Sequence, residues 1–535
     1  MPAPDRVAAL ADEKTWHELD AHLVSADPLG FMDPRPYRER LREARRVTGL
    51  REAAITGRCR IADEEIVLVV LDFRFLGGTM GSAVGEKVAN AFEYATKRSL
   101  TLVSVVGTGG ARVQEGMLSL LQMAKVSAVA ARHDKQGLAF ISILTNPTFG
   151  GVAASFASLG DLIIAEVGAQ IGFVGPRVIE QTTGVPPNRN SHRAETLLQN
   201  GLVDMVLSRK GIRDVLVQLV SRVKLRKKGR IHKQRLPHPS GSDRVSAWQK
   251  VALARHANRP TAQFYISMLF KNFLELHGDR LGGEDPAIVC GLAEIGNQAV
   301  MLIAQERGSS DEKDQRNGGK AFPEGYRKAV RLMRLAAKYR IPIITFIDTP
   351  GAQTTYESER RGIAGALAQT LVAMMTLPTR SIAVIIGEGG SGGAVALGAA
   401  DRVLMFEHSI YTVISPEGAA SILFRDAGRA ESVSERLKFT ARDLVRFGII
   451  DKIVPEPNGG AHIDPNRSAE ALKVYLLSAL RELNKIPSRD LLSARYHRYR
   501  HIGERGIYWR EQVRSVMKGL VVDILPRKKV ARTSA

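Results

Sequence analysis

The chain has 535 residues, with 76 Lys and Arg against 55 Asp and Glu, a formal net charge of +21. Apolar residues make up 44% and charged residues 24%, a mixture that excludes a disordered or fibrous chain and allows a large core without disulfide or metal staples. The length predicts three or four domains, or two large ones, and the only cysteines, Cys59 and Cys290, suggest a reducing compartment and cannot build a four-cysteine zinc site.

Residues 1–50 read as a separate N-terminal segment. MPAPDRVAALADEK lacks the basic and then apolar pattern of a signal peptide. DPRPYRERLREARRVTG predicts a charged helix behind a proline start. His17 and His22 have no companion ligands and are expected on the surface. No apolar run approaches the ~20 residues that a bilayer demands. The longest, Gly150 to Gly175, is interrupted by Asp161 and Glu166, so a soluble chain is expected.

From residue 51 the chain repeats itself. Gly57 with IVLVVLDF (Ile66 to Phe73) matches Gly291 with VMLIAQE (Val300 to Glu306) at an offset of 234. Glu86 to Ala111 matches Arg327 to Ala352 at 241. Gly150-Gly151 pairs with Gly392-Gly393 at 242, and Asp161 with Asp401 at 240. The jump from 234 to 241 falls at a polar insertion, ERGSSDEKDQRNGGK, in the second copy. Within each copy, short β-branched runs such as LTLVSVVG, LAFISILT, IPIITFID and SIAVIIGE read as buried parallel strands. Patterns such as KVANAFEYATK and RKAVRLMRLAAKY read as the helices between them. The expected class is α/β, with two tandem domains at 51–220 and 260–505.

In each copy two strands run into glycine turns. The first copy has SVVGTGGA and LTNPTFGGVAASF; the second has FIDTPGA and IIGEGGSGGAVALG. Such turns let backbone approach a ligand closely, and N–H groups from two of them can converge on one oxygen. GEGGSG spells the dinucleotide fingerprint, but too late in its copy to open a βαβ unit, and it lacks the Lys-Ser/Thr ending of a P-loop.

Between the copies, 221–259 reads as a basic linker. Its core, Ser221 to Arg235, holds eight Lys or Arg and no acid. A basic tail follows at 506–535. Both read first as solvated tethers and second as patches for phosphate. No nucleic-acid module accompanies them, so nucleic acid is not expected as a partner.

At these motifs the sequence resembles a known family. FMDPRPYRERL, GGARVQEGMLSLLQMAK, NPTFGGVAASFASLGD and GFVGPRVIEQT resemble the β subunit of bacterial acetyl-CoA carboxylase carboxyltransferase. RPTAQFYI, ELHGDR, PEGYRKAVRLM, ITFIDTPGA, GEGGSGGAVALG and YTVISPEGAASIL resemble its α subunit. The resemblance implies both subunits fused in one chain, as two crotonase-like ββα superhelix domains. It implies carboxyl transfer from carboxybiotin, held on a separate biotin carboxyl carrier protein and loaded by a biotin carboxylase, to acetyl-CoA, giving malonyl-CoA. Gly150 and Gly151 would hold the thioester oxygen, Gly392 and Gly393 the ureido oxygen. Gly109, Gly110, Ala111, Pro350, Gly351 and Ala394 would shape the substrate pockets. The site would lie between a β-type and an α-type unit of different protomers, which implies a homodimer or a higher homo-oligomer in the cytoplasm.

Biotin itself would take the acetyl proton, so the protein need supply no strong base. Related hydratases carry a glutamate two residues after the glycine pair, where this chain has Ala153 and Val395. Glu417 lies near a second such position, with a capping or packing role preferred. The β subunit's four-cysteine zinc ribbon is missing from residues 1–50, so no metal is expected. Other readings stay open: transfer to propionyl-CoA or another acyl-CoA, a hydratase or isomerase, and a nucleic-acid-binding relative.

Overall fold

The computed structural model describes residues 1–185, 188, 190–224, 235–238 and 245–502. Most of the basic core between the copies and the whole 506–535 tail lie outside the described residues.

The first sheet has seven strands in chain order: β1 (His17–Leu19), β2 (Ala54–Ile61), β3 (Glu64–Leu71), β4 (Thr101–Thr108), β5 (Phe140–Thr148), β6 (Leu162–Glu166) and β7 (Met205–Leu207). β1, β2 and β3 pair antiparallel, and β3 to β7 run parallel. The second sheet repeats the plan. Its path is β8 (Lys271–Glu275), β9 (Ile288–Ile295), β10 (Gln298–Gln305), β11 (Ile343–Thr349), β12 (Ser381–Gly390), β13 (Arg402–Phe406) and β15 (Lys452–Val454), with β14 (Ile410–Thr412) added on β12. The duplicated α/β architecture expected from the repeat is thus present.

Local chemistry explains the shared plan. β2–β3 and β9–β10 are joined by two-residue loops, Ala62-Asp63 and Gly296-Asn297, all four with φ between +51° and +64°. Positive φ at both positions is the geometry whose twist suits a tight hairpin. β4 is buried along its whole length, which is why it reads as a continuous apolar run. Helix Ser82–Arg98 follows the hairpin and buries Val84, Val88, Ala91, Phe92 and Ala95, which recur at helical spacing. Helix Pro323–Tyr339 stands 241 residues further on in the second copy.

Chain contacts group into two units. One takes in the first sheet with Lys271–Met301 and Pro323–Ile341; the other takes in 245–270, Leu302–Phe322 and the described chain from Pro342. Part of the stretch expected as linker is folded in the second unit. Helix Ala247–Ala254 there is closed by a capping box between Ser246 and Gln249.

Candidate active site

In the first unit, β4 ends at Thr108, whose Oγ1 accepts a hydrogen bond from Gly110 N at 2.9 Å. Gly109 N donates to Gly77 O, Met80 N to Gly110 O and Arg112 N to Met80 O. This lacing leaves the Ala111 N–H without a partner among the described residues. β5 ends one turn away. Phe149 N donates to Thr108 O and Gly150 N to Phe173 O, both within 3.0 Å. Gly150 takes φ +70° and turns the chain into the short helix Gly150–Ala153. The Gly151 N–H, next in line, also has no partner among the described residues.

The two turns touch. A Cβ added to Gly110 would lie 3.1 Å from Gly150 Cα and 3.4 Å from Gly151 N. One added to Gly150 would lie 2.8 Å from Gly110 Cα. Glycine at both positions is therefore a packing requirement and, with φ +115° at Gly110 and +70° at Gly150, also a conformational one. The result sets Gly151 beside Ala111, where a Cβ added to Gly151 would lie 3.7 Å from Ala111 Cβ. Of the expected pair, Gly151 keeps its amide, and Gly150 makes the bend with its own amide spent.

The second unit repeats the device. Gly351 N donates to Thr349 Oγ1 at 3.0 Å, as Gly110 does to Thr108. Gln353 N donates to Ala321 O, as Arg112 N does to Met80 O. Sheet register fixes the correspondence, because Thr108 pairs with Thr148 and Thr349 with Gly389. Both residues are 241 apart from their counterparts, so Gly150 corresponds to Ser391 and Gly151 to Gly392. The pairing of Gly150-Gly151 with Gly392-Gly393 at an offset of 242 is one residue out of step with the backbone. Ser391 carries the bend at φ +55°, and helix Ser391–Gly398 follows. Gly392 is exposed at the helix start, with nothing within 4 Å of an added Cβ. Gly393 and Ala394 are buried inside the helix. The matched amides here are Ala352 and Gly392. Ala352 was missed from the sequence, although the 241 offset from Ala111 marks it.

Charged groups surround the second turn. Asp348, just before Thr349, is fully buried; its Oδ1 accepts from Glu388 N at 2.9 Å and its Oδ2 lies 3.2 Å from Arg307 Nε. Burial raises its pKa, and Arg307 offsets only part of that. Arg255 forks onto Glu388 (2.6 and 2.9 Å) and reaches Glu417 at 2.8 Å. Burial alone would raise Glu417, but Arg255 outweighs it and holds that carboxyl below the ordinary range. Glu417 is thus a paired anion rather than a proton donor. A cavity of about 770 Å³ opens beside Pro350, walled by Asp348, Gln353 and Arg255 and by residues of the polar insertion such as Lys313 and Lys320. The glutamate positions of a hydratase hold Ala153 and, in backbone register, Ala394, both buried; Val395 is one residue beyond. Among the described residues, no group of three or more His, Cys, Asp or Glu is placed to hold a metal, and no helix is long and apolar enough to cross a membrane.

Residues 227–503 match the family described as acetyl co-enzyme A carboxylase carboxyltransferase-like. The chain is 44% identical over 517 residues to the acetyl-coenzyme A carboxylase carboxyl transferase subunits beta/alpha of Salinispora tropica, covering 95% of this chain and 91% of that protein. Its second half is 49% identical over 259 residues to the subunit alpha of Clostridium perfringens, 48% of this chain and 96% of that one. In fold it is similar to the transcarboxylase 12S structure solved with methylmalonyl-coenzyme A, with a TM-score of 0.70 at 21% identity over 89% of this chain and 90% of that one.

Proposed function

The chain belongs to the acetyl-CoA carboxylase carboxyltransferase family, and from that premise we propose that it moves the carboxyl group of carboxybiotin onto acetyl-CoA to give malonyl-CoA. It is a biotin-dependent transferase on a crotonase-like fold with β-type and α-type copies in one chain. We place the β-type domain at 51–220 and the α-type domain at 260–505.

One observation supports the chemistry above others: the same pair of amides recurs, in register, in both copies. In the β-type copy, Ala111 and Gly151 would receive the thioester oxygen as it gains enolate charge. In the α-type copy, Ala352 and Gly392 would receive the ureido oxygen of biotin, whose bound form supplies the carboxyl group. A fixed donor aimed at developing charge is worth about 3 kcal/mol in the transition state. A hydratase needs carboxylates at the glycine turns, where the chain has alanines. Partners in this reading are a biotin carboxyl carrier protein, a biotin carboxylase and further copies of this chain, in the cytoplasm.

The test runs the reaction backwards with purified chain, malonyl-CoA and biocytin. Acetyl-CoA should appear without ATP. Failure to transfer, or hydration of crotonyl-CoA in its place, removes the proposal. An acyl-CoA panel then decides between acetyl-CoA and propionyl-CoA.

A further inference from the structure

Arg112 follows Ala111 and is fully buried. Its side chain is saturated. Nε donates to Thr79 Oγ1 at 3.1 Å, and Nη2 donates to Thr79 O and Glu52 Oε1, each at 2.8 Å. Nη1 donates to Ser25 Oγ at 2.8 Å and Tyr37 Oη at 3.2 Å. The partners are tied in turn. Glu52 Oε2 accepts from Ser25 N, and Tyr37 Oη donates to Glu115 Oε1 at 2.8 Å. Glu115 Oε2 accepts from Ser82 N at the start of helix Ser82–Arg98. Arg112 N donates to Met80 O, so the side chain grips Thr79 and the backbone grips its neighbour Met80.

A buried, fully bonded cation costs several kcal/mol of desolvation, and apolar packing often stabilises a core as well. The fold does not demand it. The second copy builds the same turn with Gln353, a half-buried residue whose side chain accepts only from its neighbour Thr354 N among the described contacts. The clamp therefore serves something particular to the first turn. The Ala111 peptide sits between Gly110, whose carbonyl is held by Met80 N, and Arg112. Fixing Arg112 removes the remaining freedom of that N–H.

We propose that Arg112 is a positioning residue that aims the Ala111 amide at the acyl thioester oxygen, acting through Thr79, Met80, Glu52 and Tyr37. This rests on the carboxyl-transfer reading. A misaimed donor loses transition-state stabilisation while ground-state binding persists, so the defect belongs in kcat.

The experiment compares full-length wild type, Arg112→Lys and Tyr37→Phe in the malonyl-CoA and biocytin reaction, with thermal unfolding alongside. Lysine keeps the charge but cannot make the fork. The expected result is a kcat loss of about 100-fold for Arg112→Lys and about 5-fold for Tyr37→Phe, with KM for malonyl-CoA within about threefold of wild type. If Arg112→Lys does not fold, Tyr37→Phe decides. Wild-type kcat in a folded variant, or a loss confined to KM, overturns the assignment. Absence of transfer by the wild type would instead defeat the functional reading.

Discussion

Gly392 and Gly150 sit at matching glycine turns, yet they tolerate change in opposite ways. Gly392 has open space around an added Cβ and no positive φ. Gly392→Ala should therefore fold normally and place a methyl group in the open space beside the Gly392 amide. The expected outcome is a transfer rate at least about 10-fold lower with an unchanged melting temperature, measured by biocytin kinetics and calorimetry. Gly150→Ala adds both left-handed strain and contact with Gly110, so stability should fall with activity, by about 1–3 kcal/mol for the backbone term alone. Equal stability losses in the two variants would contradict this geometry. Gly393 is the poorer probe, because it is buried in the helix and a substitution there tests packing.

Among the elements, the folded end of the linker carries a fully buried anchor. Arg259 is fully buried; it donates to Ile386 O in β12 at 2.8 Å, to Ser409 Oγ at 3.1 Å and to both Glu456 oxygens at 2.7 and 3.1 Å. Glu456 also accepts from His408 N and Ala461 N. Burial alone would raise the Glu456 carboxyl, but Arg259 and these hydrogen bonds outweigh it and hold it below its ordinary value of 4.5. A depressed carboxyl contributes stability that is complete above 4.5 and is lost as pH falls through the native value. Glu456→Gln should thus cost about 3–5 kcal/mol at pH 7, and the gap from wild type should narrow on acidification. A gap independent of pH, followed by calorimetry from pH 7 to 3, would refute it. This anchor was illegible in the sequence, since it joins residues 197 apart and sits in a stretch whose charge suggested a solvated tether. The parallel strands were legible because β-branched runs repeat at a nearly constant offset, whereas the tight hairpins that precede them were not read. The α-type turn was read one residue late for a physical reason: a serine, Ser391, holds the left-handed bend, so the eye aligns the next two glycines instead.

For the whole molecule, each unit leaves large apolar side chains exposed near its amide turn. In the first, Leu29, Met32, Val113, Met117 (62% exposed), Leu118 and Leu121 lie on two segments joined where Gly116 meets Leu29. In the second, Val413, Ile422 (71%) and Leu423 are exposed. Solvated apolar groups in such number suit a surface that another chain covers, and under the proposed carboxyl-transfer reading that chain would be a further copy. Association then works against a formal charge of +21 per chain, so added salt should tighten it by screening like-charge repulsion. The same salt should slow capture of anionic malonyl-CoA, so subunit affinity and kcat/KM would move in opposite directions. Met117→Glu with Leu121→Glu puts charge into the first patch without touching either amide. Light scattering should then show monomers, and transfer should fall at least about 10-fold while secondary structure by circular dichroism is retained. A wild-type chain that is monomeric and fully active would mean that these side chains face water in the working enzyme and that one chain completes its own site.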